Sequence, residues 1–204
     1  MTPQSGQQLA EDLRFVREAV QSSRNVQYRS AAVPILWAGI IAVGFPLDDF
    51  CTNGALAWHW AVWYWTVAPI VGFLLSCWLG YRTDRNAGVS SDRAEAWRIG
   101  LHWSSIFLGA IAVGAIMATN HLDGLGVGES LSLLVTGLVY YLGGVHIDRR
   151  FLWPGLAAMA GSGAIGHLGP YQLTIIGAVI AVALVASALW TKEKESHAHA
   201  TSQA

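Results

Sequence analysis

Residues 55–81 read ALAWHWAVWYWTVAPIVGFLLSCWLGY, twenty-seven consecutive positions without a carboxylate, a lysine or an arginine. A helix needs about 20 apolar residues to cross a bilayer, with roughly 17–25 as the usual range. This stretch exceeds that, and is expected to tilt or protrude. Its neighbours repeat the pattern. Uncharged or nearly uncharged stretches also occupy 31–47, 99–119, 127–147, 151–168 and 172–190. A typical soluble domain carries about a quarter charged residues. Here the share is 12%, beside 53% hydrophobic residues, so a soluble domain is excluded. The expected fold is all-α: an integral membrane protein of six transmembrane helices arranged as three hairpins.

The basic residues test that count independently. Arg14, Arg17, Arg24 and Arg29 precede the first span, and Arg82, Arg85, Arg93 and Arg98 lie between the second and third. Arg149 and Arg150 separate the fourth and fifth; Lys192 and Lys194 follow the sixth. These are all twelve lysines and arginines, and every one falls on the same side. The positive-inside rule then places both termini in the cytoplasm. A wrong span count would scatter the charges over both faces. MTPQSGQQLAEDLRF shows no apolar leader behind a basic start, so the first span is expected to insert as an uncleaved signal.

Three regions are expected: a cytoplasmic segment at 1–29, the spanning domain at 30–191 and a disordered cytoplasmic tail at 192–204. In the first, Leu9, Leu13, Val16 and Val20 recur at helical spacing, with Arg14, Arg17 and Glu18 on other faces. This predicts an amphipathic helix that lies on the membrane surface or docks a partner protein. In the loop RTDRNAGVSSDRAEAWR, Asp92 is placed to cap the helix entering span three. The opposite loops, PLDDFCTNG, NHLDGLG and LGPYQ, are short turn-forming sequences.

Small residues predict where helices approach closely. Ala158, Ser162 and Gly166 stand four apart in span five, as do Gly177 and Ala181 in span six. Such faces let backbones meet in lipid. The first helices of the hairpins also echo one another in LWAGIIAVG, IFLGAIAVG and LWPGLAAMAG, which suggests a threefold hairpin repeat. Pro69, in mid-span, is expected to kink span two.

Aspartate, glutamate, lysine and arginine are missing from the middle of every span, which argues against an ion-coupled pump or transporter. Ionisable residues gather instead at two levels. On the outer side stand Asp48, Asp49, His59, His121, Asp123, Glu129 and His167. Of these, His59, His121, Asp123, Glu129 and His167 are the candidate ligands of a divalent metal, should the hairpin ends converge. On the inner side, His102 and His146 sit on different helices at one depth, the arrangement an axial haem pair requires. Neither set has a recognisable spacing, and no cofactor is predicted. Cys51 and Cys77 are too far apart along the membrane normal to pair. WHWAVWYW (58–65) reads chiefly as the outer aromatic belt, because indole and phenol rings favour the headgroup level. Trp63 and Trp65 lie deeper and are expected to face other helices. No catalytic or nucleotide-binding motif occurs.

LAEDLRFVREAVQSS, followed by AAVPILWAGIIAVG, resembles small bacterial multi-span inner-membrane proteins over residues 8–45. The resemblance implies the bacterial inner membrane and supplies no site. The function expected from the whole chain is a non-enzymatic, membrane-embedded interaction or regulatory component. Its partner-binding residues would be Leu9, Leu13, Val16 and Val20, together with the basic 82–98 region. A transporter or channel for a small solute or divalent metal is the alternative, and a metal- or haem-binding membrane enzyme subunit is third. The bilayer is the expected partner, with room for homo-oligomerisation and none for nucleic acid.

Overall fold

In the computed structural model every apolar stretch forms helix, and no strand occurs among the described residues, which are 13–14, 31–86, 93–120 and 126–202. The elements are α1 (Ala32–Thr52), α2 (His59–Asn86), α3 (Arg93–Asn120), α4 (Val127–His146), a 3-10 turn (Arg149–Phe151), α5 (Leu152–Ala164) and α6 (Gln172–Ser202). Five of them, all but α5, are long and apolar enough to cross a membrane. Helix is the form such sequences must take in lipid, since each backbone group then finds its partner within its own segment.

The helices are joined in chain order around a ring. α1 packs on α2, α3 on α4, α4 on α5, α5 on α6, and α6 returns to α1. The remaining junction, α2 with α3, has no broad interface and is bridged by Phe73 and Phe107, whose rings meet edge to face at 5.5 Å. One end of the bundle gathers Asp48, Asp49 and Glu129; the other gathers Asp148, Arg149 and Arg150. We call them the acidic and basic ends. The core comprises Ala38 of α1, Leu133 and Tyr140 of α4, Ala158 of α5, and Ile176, Ile180 and Leu184 of α6. α3 adds Trp103 and Ile106 at its margin, while α2 contributes nothing to this cluster.

The closest approach is between α4 and α5. A Cβ on Gly155 would lie 2.5 Å from the Tyr141 amide nitrogen and 2.9 Å from the Gly137 carbonyl oxygen. On Gly137 it would lie 2.8 Å from the Met159 nitrogen, and on Gly144 2.6 Å from that of Leu152. Three glycines therefore set backbone against backbone. The small-residue reading of span five found the right helix, and Ala158 is 2% exposed. Gly166, however, lies beyond the helix at φ +91, so the face ends sooner than its spacing suggests. Gly177 of α6 serves a different neighbour, admitting the Phe45 ring of α1.

The stretch expected as the fifth span, 151–168, yields a 13-residue helix, about 20 Å long against a hydrocarbon layer of roughly 30 Å. The chain then turns through Gly166 and Gly169, both at positive φ, before α6 begins. The tail is also different from expectation. α6 runs to Ser202, through the segment that composition marks as disordered. Lys, Glu and Ala are good helix formers, and extending an existing helix avoids the cost of nucleation. α2 continues through Pro69, and α1 contains a further proline, Pro46.

The hairpins are threefold in order, yet the echoed glycines are not equivalent. Gly44 abuts Tyr64 and Trp65, Gly109 abuts Val135, and Gly155 abuts Tyr141. A methyl group added at Gly39 or Gly114 would meet nothing within 4 Å. The echo therefore reflects composition rather than a repeated packing unit.

Candidate functional site

The acidic end carries the densest polar chemistry. α1 ends there in a left-handed Gly54, with the Asn53 amide donating to the Asp49 carbonyl at 2.9 Å and Ala55 to that of Phe50 at 2.9 Å. This places Asp48 and Asp49 in the last turns of the helix rather than in the following loop. Asp49 is 3% exposed. Its carboxylate accepts from the backbone N–H of Leu173 at 3.3 Å, and from the N–H and hydroxyl of Thr174 at 2.6 and 2.7 Å. A carboxylate on α1 thus caps the N-terminus of α6, where unpaired amides and the helix dipole both favour negative charge. The Asn53 side-chain amide donates to the Pro170 carbonyl at 2.7 Å and ties the preceding turn to the same place.

Asp48 accepts from the Trp65 indole N–H at 2.7 Å. The Tyr64 hydroxyl donates to the Ile40 carbonyl at 2.6 Å, and Gly44 makes room for both rings, since a Cβ there would lie 2.6 Å from each. Toward the basic end, the Trp37 indole donates to Ser76 at 3.1 Å. Inter-helix bonds of this kind contribute roughly 0.6–2 kcal/mol each in a bilayer.

The aromatic octet therefore divides. Tyr64 and Trp65, adjacent in sequence, face α1. Trp58, Trp60 and Trp63 are 54, 56 and 64% exposed. The expectation that Trp65 turns inward holds; Trp63 faces outward, because the wedge around Gly44 is filled by Tyr64 instead. Leu47, Leu56, Trp60, Trp63, Tyr64 and Val67 line an open, apolar groove of about 400 Å³.

The described metal candidates, His59, Glu129 and His167, do not gather into one group. His59 is exposed against the neighbouring Trp60 ring, and His167 is exposed in the turn after α5. Glu129 is half-buried in the first turn of α4, within electrostatic range of Asp48. His121 and Asp123 lie outside the described residues. Among those described, no three His, Cys, Asp or Glu side chains form a group able to hold a metal.

At the basic end His102 reaches a neighbouring helix. Its Nε2 lies 3.1 Å from the Val139 carbonyl on α4, and Gly143 lacks the side chain that would bar it. A carbonyl accepts only, so Nε2 is the donor in this bond. His146, by contrast, is exposed at the end of α4. Trp103, Tyr140 and Phe151 pack edge to face beside His102, with centroids 4.9–5.9 Å apart. Asp148 accepts from the Arg150 amide at 3.0 Å, pairs with its guanidinium, and starts the turn between α4 and α5. Of the N-terminal stripe, Leu13 is helical and 62% exposed; Leu9, Val16 and Val20 lie outside the described residues.

The bonds of Asp49, Trp65, Tyr64 and His102 were not legible in the chain. Each joins groups whose partners lie 17 or more residues away. The one local hint is that Thr174, early in α6, follows no aspartate, asparagine or serine able to cap the helix.

The fold defines the class: an all-helical protein with five helices long and apolar enough to cross a membrane. No protein-family model matches the chain, and neither a curated protein nor a solved structure shows significant similarity to it.

Proposed function

We propose that the protein crosses the bacterial inner membrane six times, keeps both termini in the cytoplasm, and acts as a non-enzymatic interaction or regulatory component. The observation that carries this reading is the use made of its polar side chains. Asp49, Asp48, Tyr64, Trp65 and His102 each bond a neighbouring helix, which suits a scaffold held rigid within the membrane. The sixth crossing is supported by chain direction. α4 ends at the basic end, α6 begins beside Asp49 at the acidic end, and α5 with its following turn must connect the two. The distribution of arginine and lysine favours the cytoplasm for the basic end.

The interaction surface would be the N-terminal stripe of Leu9, Leu13, Val16 and Val20. Replacing Leu13 and Val16 together by aspartate in the full chain is expected to abolish capture of its protein partner from native membranes. The protein itself should stay in the membrane fraction, since the spans are untouched. Retention of every co-purifying protein by the L13D/V16D variant would overturn the proposal.

A further inference from the structure

The outward face of α5 is apolar but short. Trp153, Leu156, Ala160 and Gly163 are exposed along it, and exposed backbone follows from Gly166 to Pro170. Two carbonyls near the helix end lack their ordinary donors. The Gly166 N–H, four residues after Ser162, donates to the Gln172 side chain at 2.6 Å. The His167 N–H, four after Gly163, donates to the Ala164 carbonyl at 3.1 Å. Exposed carbonyls and irregular backbone do not face hydrocarbon; they need water or protein beside them. Gly163 lies 11 residues beyond Leu152, only about 16.5 Å along the helix from its start at the arginine-bearing turn. A hydrocarbon layer of roughly 30 Å would submerge it.

The head of α4 meets the chain just beyond α5, where Gly126 is in contact range of the Ile165 side chain. Glu129 follows within its first turn, a carboxylate better placed near water than in lipid. On the other side of the ring no such limit applies. Residues 99–119 of α3 are uncharged over about 31 Å, and those of α2 over longer still.

We propose that the bilayer is thinned by roughly a third beside α5, with the water layer on the acidic side drawn down to the end of that helix, next to Gly163. The occupant of this face is lipid, compressed to match the helix. The inference rests on the membrane-crossing reading but not on the regulatory one.

Spin labels test it. Gly163→Cys and Ala110→Cys, each with Cys77 replaced by alanine, are reconstituted in phosphatidylcholine bilayers of 18-carbon chains. Both sites are exposed, and Gly163 has nothing within 4 Å of an added Cβ. Counted from the basic-end limit of each apolar stretch they lie equally far along: Gly163 stands 11 residues beyond the start of α5, and Ala110 stands 11 beyond residue 99, where the uncharged stretch of α3 begins. Collision with a water-soluble nickel chelate is expected to be several-fold faster at 163 than at 110, with oxygen collision showing the reverse. Wild-type circular dichroism and elution confirm that the variants fold. Oxygen-dominated collision at both sites would overturn the thinning. Shielding of 163 from both reagents would overturn it too, by showing that protein covers the face. Nickel access at both sites would instead remove the membrane reading beneath it.

Discussion

Gly155→Ala is expected to destabilise the folded bundle by about 3 kcal/mol, the upper end of the usual cost of overpacking. The added methyl would stand 2.5 Å from the Tyr141 amide nitrogen, 2.8 Å from its Cα and 2.9 Å from the Gly137 carbonyl oxygen. A flexible side chain could swing away from such a contact. These atoms belong to the backbone of α4 and are fixed by that helix's own hydrogen bonds, so relief requires the two helices to separate. Separation in turn loosens Ala158, Tyr140 and Leu133, which fill the core beside this contact. Gly163→Ala on the same helix provides the control. Nothing lies within 4 Å of its added methyl, and alanine is the better helix former by roughly 1 kcal/mol. Reversible unfolding in mixed micelles, followed by circular dichroism, compares the two. Equal stability of G155A and G163A would show that α4 and α5 do not meet as described.

Asp49→Ala is expected to cost about 2–3 kcal/mol, because it strips three donors at the start of α6 of their acceptor in a buried setting. Asp49→Asn keeps one acceptor oxygen but turns an NH₂ toward the remaining donors, so an intermediate loss is expected. Thr174→Ala removes only the hydroxyl bond and should cost about 1 kcal/mol. Stability alone does not locate the effect; amide hydrogen exchange does. In Asp49→Ala the amides of Leu173 and Thr174 should exchange faster than in the wild type, while those near Leu184 follow global stability. Unchanged protection at 173 and 174 would show that the carboxylate does not hold the head of α6.

The two predictions concern features of different legibility. Glycines and alanines four residues apart marked α5 and α6 as helices that pack closely. Spacing along one helix, however, identifies a face and not the helix that meets it. Gly137 and Gly144 of α4 became significant only when set against Met159 and Leu152. Asp49 was harder still. In sequence it stands in PLDDFCTNG, where aspartate is an ordinary turn residue. Only the antiparallel return of α6 beside α1 brings amides to it from 124 and 125 positions away. The candidate metal and haem residues illustrate the same limit. His102 and His146 share a depth, yet a neighbouring carbonyl and an absent side chain at Gly143 decide what His102 does.

By itself, the sequence determined the helical class, the position of the long apolar helices and the clustering of basic residues between alternate spans. These follow from local quantities: how many uncharged residues run consecutively, and where the charges interrupt them. The tertiary structure alone decided the ring order, the loose α2–α3 junction, the shortness of α5 and the partners of Asp48, Asp49 and His102. Each depends on contacts between segments far apart in the chain, and in lipid such contacts are selected by close packing and polar pairing rather than by the hydrophobicity that makes every span look alike.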